Sequence, residues 1–148
     1  GLIELMGEEV YQEGMLNKPL LAAYLFASPE YAAKVNGIIH PRVKADFLQW
    51  VDEHRHVGVV GLESAILYES GFDDVVDAVV MVYAPESLRL QRAMKRDQAS
   101  EAQVRARIAA QMDDEEKRRR ADYVVMNDGS ISIEKQLDML VEHLKKGK

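Results

Sequence analysis

The sequence has no cysteine in its 148 residues. This excludes a disulfide framework and a thiolate metal site. No apolar run approaches the roughly 20 residues that cross a bilayer. The first residues also lack the positively charged region of a secretory signal peptide. Because of these absences we expect a cytoplasmic protein that does not contact a membrane.

An excess of acidic residues gives the chain a formal net charge of −6. Nucleic-acid-binding domains usually carry a positive balance, so we expect no nucleic-acid partner. The one strongly basic run, Lys117–Arg120, directly follows four acids, Asp113–Glu116. This run is typical of a solvated helix face, although binding of a nucleic acid through it stays an alternative.

The apolar run Ala78–Tyr83 is the stretch around which the rest of the chain can be arranged. Such a run is typical of a strand that is buried on both faces of a parallel sheet. Pro85 follows it, and from there the helical period places Arg89, Arg92 and Arg96 on one side. A row of guanidiniums after a buried strand predicts that a polyanion is held near the carboxyl edge of the sheet.

Strands and helices alternate through the second half of the chain. Val57–Leu62 and Tyr123–Met126 are two further short runs that predict strands. Before them, three short helices are predicted over residues 17–54, and their starts are marked by Asn17, Ser28 and His40-Pro41. This pattern predicts an α/β fold in which a helical region precedes a small parallel sheet.

Capping signals predict the remaining helices. Ser100 and Gln103 form a capping-box pattern, and the helix that they start is expected to end in the run Asp113–Arg120. Ser130 or Ser132 is expected to cap a last amphipathic helix. In the charged run the spacing predicts four acid–base pairs at i and i+4, namely Asp113–Lys117, Asp114–Arg118, Glu115–Arg119 and Glu116–Arg120.

Four segments carry motifs that occur together in one known family. They are Val35–Pro41 (family pattern LN-x-I-x-HP), Ala65–Glu69 (PLL-x-E), Leu90–Asp97 (R-x-x-x-R-D) and Ala121–Asn127 (AD-x-V-x-x-N). In order and at the right intervals, these segments resemble the dephospho-CoA kinases, a family of P-loop kinases. The resemblance covers nearly the whole chain, from about Gly7 to Leu144.

The resemblance implies a P-loop kinase-type parallel sheet with an inserted α-helical substrate domain and a helical lid. The sheet is expected to be incomplete, with its first strands missing. Residues 1–56 would form the helical region that binds the CoA substrate, and residues 89–120 the lid. Residues 57–88 and 121–148 would form the remainder of the α/β core.

The family transfers the γ-phosphate of ATP to the ribose 3′-hydroxyl of dephospho-CoA, the last step of coenzyme A synthesis. The resemblance implies that Arg92 and Arg96 bind the ATP phosphates and act in catalysis, and that Asn127 lies near the adenine. It further implies that dephospho-CoA is bound by Lys18, His40, Pro41 and Glu69. ATP and Mg²⁺ are expected for the complete enzyme, but we identify no metal ligand in this sequence.

The sequence departs from the family most clearly in having no G-x-x-x-x-G-K-S/T motif, the loop that cradles nucleotide phosphates. The acidic motif that carries the family's proposed base is missing as well. We therefore expect an N-terminally truncated kinase that is inactive alone. Lys18 stands where the family usually has arginine, which keeps the charge but loses the bidentate fork, and Ala65 stands where it usually has proline.

The residues leave other interpretations open. The chain could be a kinase-derived binding module without catalysis, or another P-loop kinase that acts on nucleosides or nucleotides. Arg92 and Arg96 could make structural ion pairs with Asp97 or Glu101, and His40 could be an ordinary helix-terminal residue. The oligomeric state does not follow from the sequence.

Overall fold

The computed structural model describes residues 1–146, so the predicted core segment 121–148 extends two residues beyond the described ones. The chain divides into two compact units, residues 1–62 and residues 63–148. Over the described length, no helix is both long enough and apolar enough to cross a membrane.

The first unit contains a short helix, a β-hairpin and two longer helices. Its elements are α1 (Leu2–Met6), a 3₁₀ turn (Glu8–Val10), β1 (Tyr11–Gln12), β2 (Met15–Leu16), α2 (Lys18–Ala27) and α3 (Pro29–Glu53). The antiparallel strands β1 and β2 are joined by Glu13 and Gly14, both at positive φ, as a type I′ turn requires. α2 packs against α3, and Val10, Leu21 and Val35 are buried in this unit.

The starts of α2 and α3 confirm two predicted helix caps. The side-chain oxygen of Asn17 accepts a hydrogen bond from the Leu20 N–H at 3.2 Å. The hydroxyl of Ser28 accepts one from the Tyr31 N–H at 3.1 Å. Each cap satisfies a backbone donor that has no partner within the helix, so the sequence determines these two helix starts locally.

The prediction that His40-Pro41 opens a third helix is wrong. α3 continues from Pro29 to Glu53 and contains Pro41 in its interior. Proline has no N–H, so the carbonyl of Gly37, four residues earlier, loses its usual partner. The remaining turns of this 25-residue helix keep their hydrogen bonds, and one lost bond does not end it.

The prediction of a strand at Val57–Leu62 is also wrong. These residues form bends and irregular backbone, and Val59 is 64% exposed. A strand needs a neighbour for its backbone N–H and C=O groups, and in residues 1–146 no strand pairs with this run. Gly58 and Gly61 lower its strand preference further.

The second unit contains a parallel strand pair with a helix after each strand. Its elements are a 3₁₀ turn (Asp73–Val75), β3 (Val80–Tyr83), α4 (Glu86–Asp97), α5 (Glu101–Ala109), α6 (Asp114–Arg120), β4 (Tyr123–Met126) and α7 (Ile133–Lys146). β3 and β4 pair in register from Val80–Tyr123 to Tyr83–Met126, and the Asn127 N–H extends the ladder to the Tyr83 carbonyl at 2.7 Å. This arrangement confirms the predicted α/β class.

The helix that begins at the Ser100–Gln103 capping box ends at Ala109 rather than at Arg120. Asp113 begins a separate helix, α6, because its carboxylate accepts the N–H groups of Glu115 and Glu116. At the last helix, Ser132 rather than Ser130 accepts a hydrogen bond from the first turn, through the Lys135 N–H at 3.4 Å.

Tertiary partners replace two of the four ion pairs predicted within α6. In the described structure, one of the four i, i+4 pairs is present, Glu116–Arg120 at 2.7 Å. Asp114 instead pairs with Arg89, and Lys117 pairs with Glu69 at 3.2 Å. A helical pair on a solvated face contributes only about 0.2–0.5 kcal/mol, which is too little to exclude a well-placed partner elsewhere.

Candidate active site

A cleft of about 260 Å³ opens where β3 and β4 end. Ala84 directly follows β3, Asn127 directly follows β4, and α4 contributes Arg89, Arg92 and Arg96. Ligand sites of α/β proteins lie at this edge of a parallel sheet. The structure thus brings together three of the predicted site residues, Arg92, Arg96 and Asn127.

The sequence between β3 and α4 explains why the arginines face the cleft. Pro85 has an extended conformation (φ −52°, ψ 143°), and α4 begins at the next residue. Positions 89, 92 and 96 follow one side of the helix, while Leu90 on another side is buried. In the described part of the chain, no acidic side chain lines the cleft. The cleft therefore suits an anion.

Arg92 connects α4 to the loop after β4. Its Nη1 donates to the backbone carbonyl of Asn127 at 2.7 Å. Hydrogen bonds from Ser130 hold the pKa of the nearby Asp128 below its usual value, and the charge of the Arg92 guanidinium adds a smaller effect in the same direction. Arg92 is thus held at the mouth of the cleft by backbone rather than by a bidentate carboxylate.

Gln136 of α7 fixes the same loop and was not predicted from the sequence. Its amide oxygen accepts from the Met126 N–H at 2.8 Å, and its amide nitrogen donates to the Met126 carbonyl at 2.9 Å. These bonds set where β4 ends and therefore where Asn127 lies. No motif marks this residue, because a glutamine on a helix becomes informative only when the strand beside it is known.

Arg96 is engaged by the neighbouring carboxylate. Its Nε and Nη2 donate to the two oxygens of Asp97 at 2.7 and 3.1 Å, and Arg107 of α5 donates to Asp97 at 2.8 Å. The hydrogen bond from Arg96 and the further one from Arg107 lower the pKa of Asp97 to about 2. The ion pair of Arg96 with Asp97, which the sequence left open, is thus present in the structure.

Arg89, the first member of the predicted arginine row, also lines the cleft, although the family resemblance assigned it no role. Its Nε donates to the Ala84 carbonyl at 3.0 Å, and its guanidinium also pairs with Asp114 at the start of α6. Arg89 thus joins the end of β3 to α6.

Glu69 lies at the junction of α5 and α6 and does not line the arginine cleft. Its carboxylate accepts from the Met112 N–H at 2.6 Å and pairs with the Lys117 ammonium. Burial alone would raise the pKa of Glu69, but these two donors hold it below its usual value. Lys117 also donates to the Ala65 carbonyl at 2.8 Å, so it ties the segment 65–69 to α6.

The other predicted substrate residues belong to the first unit. Lys18 is exposed at the start of α2. His40 is half-buried and Pro41 is exposed, both in the interior of α3. The arginines, Asn127 and Glu69 belong to the second unit.

The described residues form no complete set of magnesium ligands. Mg²⁺ prefers near-octahedral coordination by oxygen ligands. Between residues 1 and 146 no group of three or more histidine, aspartate or glutamate side chains is placed to hold a metal ion. The three arginines of the cleft would also repel a cation that is not already bound to an anion.

Comparisons with known proteins identify the fold. A crystal structure of a Thermus thermophilus protein matches with a TM-score of 0.78 and 30% identity, over 96% of this chain and 74% of that one. A dephospho-CoA kinase from Campylobacter jejuni matches with a TM-score of 0.63 over 99% of this chain and 75% of its own. Its identity of 23% supports the fold alone. The class is thus an α/β fold that this chain shares with a dephospho-CoA kinase.

Sequence comparisons give the family. The family model of dephospho-CoA kinases matches residues 1–132. A dephospho-CoA kinase from Bacteroides fragilis is 54% identical over 143 residues, which are 97% of this chain and 70% of the relative. One from Porphyromonas gingivalis is 42% identical over 127 residues, 85% of this chain and 62% of the relative. The chain belongs to the dephospho-CoA kinase family.

Proposed function

We propose that the activity to which this chain contributes is transfer of the γ-phosphate of ATP to the ribose 3′-hydroxyl of dephospho-CoA, which completes coenzyme A. Family membership supports these substrates. The observation in this chain that carries the proposal is the row of three guanidiniums at the carboxyl ends of two parallel strands. Guanidiniums in a row match the charge that a nucleotide spreads over its phosphate oxygens.

In this proposal Arg92 and Arg96 are the catalytic residues of the chain. Phosphoryl transfer passes through a loose transition state whose charge lies on the phosphoryl oxygens, and pre-placed cations stabilise it. The same two residues bind the ATP phosphates before transfer. Asn127 lies beside the adenine, and its position is supported by the hydrogen bond that its carbonyl accepts from Arg92.

The dephospho-CoA side of the reaction is assigned to Lys18, His40, Pro41 and Glu69 on family grounds. Lys18 offers an exposed ammonium for a substrate phosphate. The same grounds support a division into the CoA-binding region 1–56, the lid 89–120, and the core 57–88 with 121–148. Mg²⁺ is proposed for the complete enzyme, but no step is assigned to it here because the described residues do not supply its ligands.

We further propose that these 148 residues alone transfer no phosphate. The sequence has no G-x-x-x-x-G-K-S/T loop, and this loop supplies the backbone N–H cradle and the lysine that hold the β- and γ-phosphates. Positioning and electrostatic stabilisation supply almost all the catalysis in phosphoryl transfer. Three arginines that bind phosphate are therefore insufficient by themselves for phosphoryl transfer.

The test is ADP release from ATP and dephospho-CoA with magnesium, measured for this chain beside the Bacteroides fragilis relative as a positive control. We expect turnover by the relative and none by the chain. Turnover that scales with the concentration of the chain would show that the inactivity proposal is wrong. The same assay of both proteins, with nucleosides and nucleotides in place of dephospho-CoA, tests the alternative of another P-loop kinase that acts on those acceptors.

A non-catalytic binding module is the second candidate, and the absent phosphate loop favours it. Calorimetric titration of the chain with dephospho-CoA, and separately with ATP, measures the binding that this candidate requires. Binding of dephospho-CoA without ADP release supports the module for the chain as it stands. If the folded chain binds neither ligand at millimolar concentration, both the module and the proposed site residues are wrong.

A further inference from the structure

Asp97 accepts hydrogen bonds from the two donors of Arg96 that would otherwise bind a phosphate. The Nε–H and one Nη2–H of a guanidinium point the same way and form the fork that binds two oxygens at once. In Arg96 both of these donors bind Asp97, at 2.7 and 3.1 Å. A phosphate that approaches through the cleft therefore competes with a carboxylate for the same hydrogen-bond donors.

The place of Asp97 in α4 does not serve the stability of the helix. Asp97 is the last residue of α4, and Gln98 after it is left-handed with φ 51°. A carboxylate at a helix C-terminus interacts unfavourably with the helix dipole. Arg96 and Arg107 compensate for this charge.

The two partners of Asp97 differ in their relation to the cleft. Arg96 lines the cleft, and its side chain is 77% exposed. Arg107 lies on α5 and does not line it. When the Arg96 guanidinium moves from Asp97 to a phosphate, Asp97 therefore keeps Arg107 as a partner. The charge of the Asp97 carboxylate stays compensated.

We propose that Asp97 is an autoinhibitory counter-ion of Arg96, displaced from it by a polyphosphate while Arg107 retains the carboxylate. The proposal rests on the proposed function insofar as the polyphosphate at this cleft is that of the nucleotide. Asp97 lowers the affinity of the cleft for phosphate, and it holds the Arg96 guanidinium in one place until phosphate arrives. Arg107 makes the exchange easier.

Two substitutions at this ion pair are expected to act in opposite directions. Asp97→Asn keeps the shape of the side chain and removes its charge, so Arg96 is released and phosphate binds more tightly. Arg107→Ala leaves Asp97 with Arg96 alone, so phosphate binds more weakly. Both changes weaken the Asp97–Arg107 contact between α4 and α5. If this contact served only to hold the two helices together, both variants would change the phosphate affinity in the same direction.

The experiment is calorimetric titration of the 148-residue chain with tripolyphosphate. Asp97→Asn is expected to tighten binding about two- to fivefold, the size of effect that an exposed ion pair produces. Glu101→Gln is the matched control, because it removes the same charge from a residue that pairs with Arg105 outside the cleft. Arg105→Ala is the corresponding control for Arg107→Ala.

A double-mutant cycle assigns the effect to Arg96. In an Arg96→Ala background, Asp97→Asn is expected to change the affinity no more than Glu101→Gln does. The side-chain Nε–H resonance of Arg96, followed by nuclear magnetic resonance, is expected to shift when tripolyphosphate is added. The Nη–H resonances of Arg107, whose Nη1 donates to Asp97, are expected to keep their chemical shifts.

The outcomes separate this proposal from the function on which it rests. If the wild-type chain binds tripolyphosphate but Asp97→Asn equals Glu101→Gln, the counter-ion proposal is wrong and the phosphate site stands. The same conclusion follows if the Arg96 resonance does not move at saturation. If neither the wild type nor Asp97→Asn binds tripolyphosphate while both are folded, both proposals are wrong.

Discussion

The guanidinium of Arg92 donates to the backbone carbonyl of Asn127 across 2.7 Å, although the two residues are 35 positions apart in the chain. The contact joins the helix that follows one parallel strand to the loop that follows the other. Because both residues line the cleft, the position of the cation and the shape of the loop depend on each other.

Replacing Arg92 is expected to weaken phosphate binding to the chain. Arg92→Ala removes a charged donor from the cleft and the support of the Asn127 carbonyl, so we expect a three- to tenfold rise in the tripolyphosphate dissociation constant, about 0.7–1.4 kcal/mol. Arg92→Lys keeps the charge but not the fork, and an intermediate loss is expected. Arg105→Ala controls for the lost charge, and equal losses in the Arg92→Ala and Arg105→Ala variants would count against the site.

The pKa of Glu69 makes part of the stability depend on pH. Because the folded-state pKa lies below the ordinary glutamate value of 4.5, the stabilisation is fully present above about pH 4.5. It is lost as the pH falls through the lower folded-state value. Glu69→Gln is therefore expected to lower the free energy of unfolding by about 1.5 kcal/mol near neutral pH, and by progressively less in acid.

Urea denaturation near pH 7 and near pH 3.5 measures this dependence. Glu63→Gln, an exposed change in the same unit, is expected to alter the free energy of unfolding by less than about 0.5 kcal/mol. A difference between wild type and Glu69→Gln that does not shrink on acidification would contradict the assignment of the Met112 and Lys117 contacts.

The cap at the start of α2 predicts a stability change in the first unit. Asn17→Ala removes the acceptor for the Leu20 N–H and a donor to the Glu9 carbonyl at 3.3 Å. We expect a loss of about 1 kcal/mol in the free energy of unfolding. Asn17→Asp keeps the acceptor and loses the donor, so its loss is expected to be smaller. Chemical denaturation of the three proteins checks the order.

The two prolines of α3 are expected to respond differently to the same substitution. Pro41→Ala restores an N–H that can bond to the Gly37 carbonyl, and we expect it to stabilise the first unit by about 1 kcal/mol or more. Pro29 is the first residue of the helix, where proline loses nothing, so Pro29→Ala is expected to be neutral or slightly destabilising. Thermal unfolding that shows no difference between the two variants would contradict the helical role of Pro41.

Local signals in the sequence predicted the parts of the fold that depend on few residues. Asn17, Ser28 and the Ser100–Gln103 pair begin helices because each cap acts on the next turn of its own chain. The arginine row followed from helical spacing, and in the structure its members line one cleft with Asn127.

Distant partners decided what the sequence could not predict. Val57–Leu62 has strand composition, but composition supplies no neighbouring strand. Asp114 pairs with Arg89 and Lys117 pairs with Glu69, instead of with the partners predicted within α6. Arg89 and Glu69 come near α6 only in the folded chain. The continuation of α3 through Pro41 likewise depends on the turns on either side of it.

The amide of Gln136 has a further consequence for the sheet. It binds both the N–H and the carbonyl of Met126, the two groups of that residue that point away from β3. An exposed strand edge normally offers such groups to the strand of another molecule, and aggregation can begin there. At Met126, the last residue of β4, both groups are already hydrogen-bonded to Gln136. The outer edge of this strand is therefore closed to strand addition at Met126 by a side chain of the next helix.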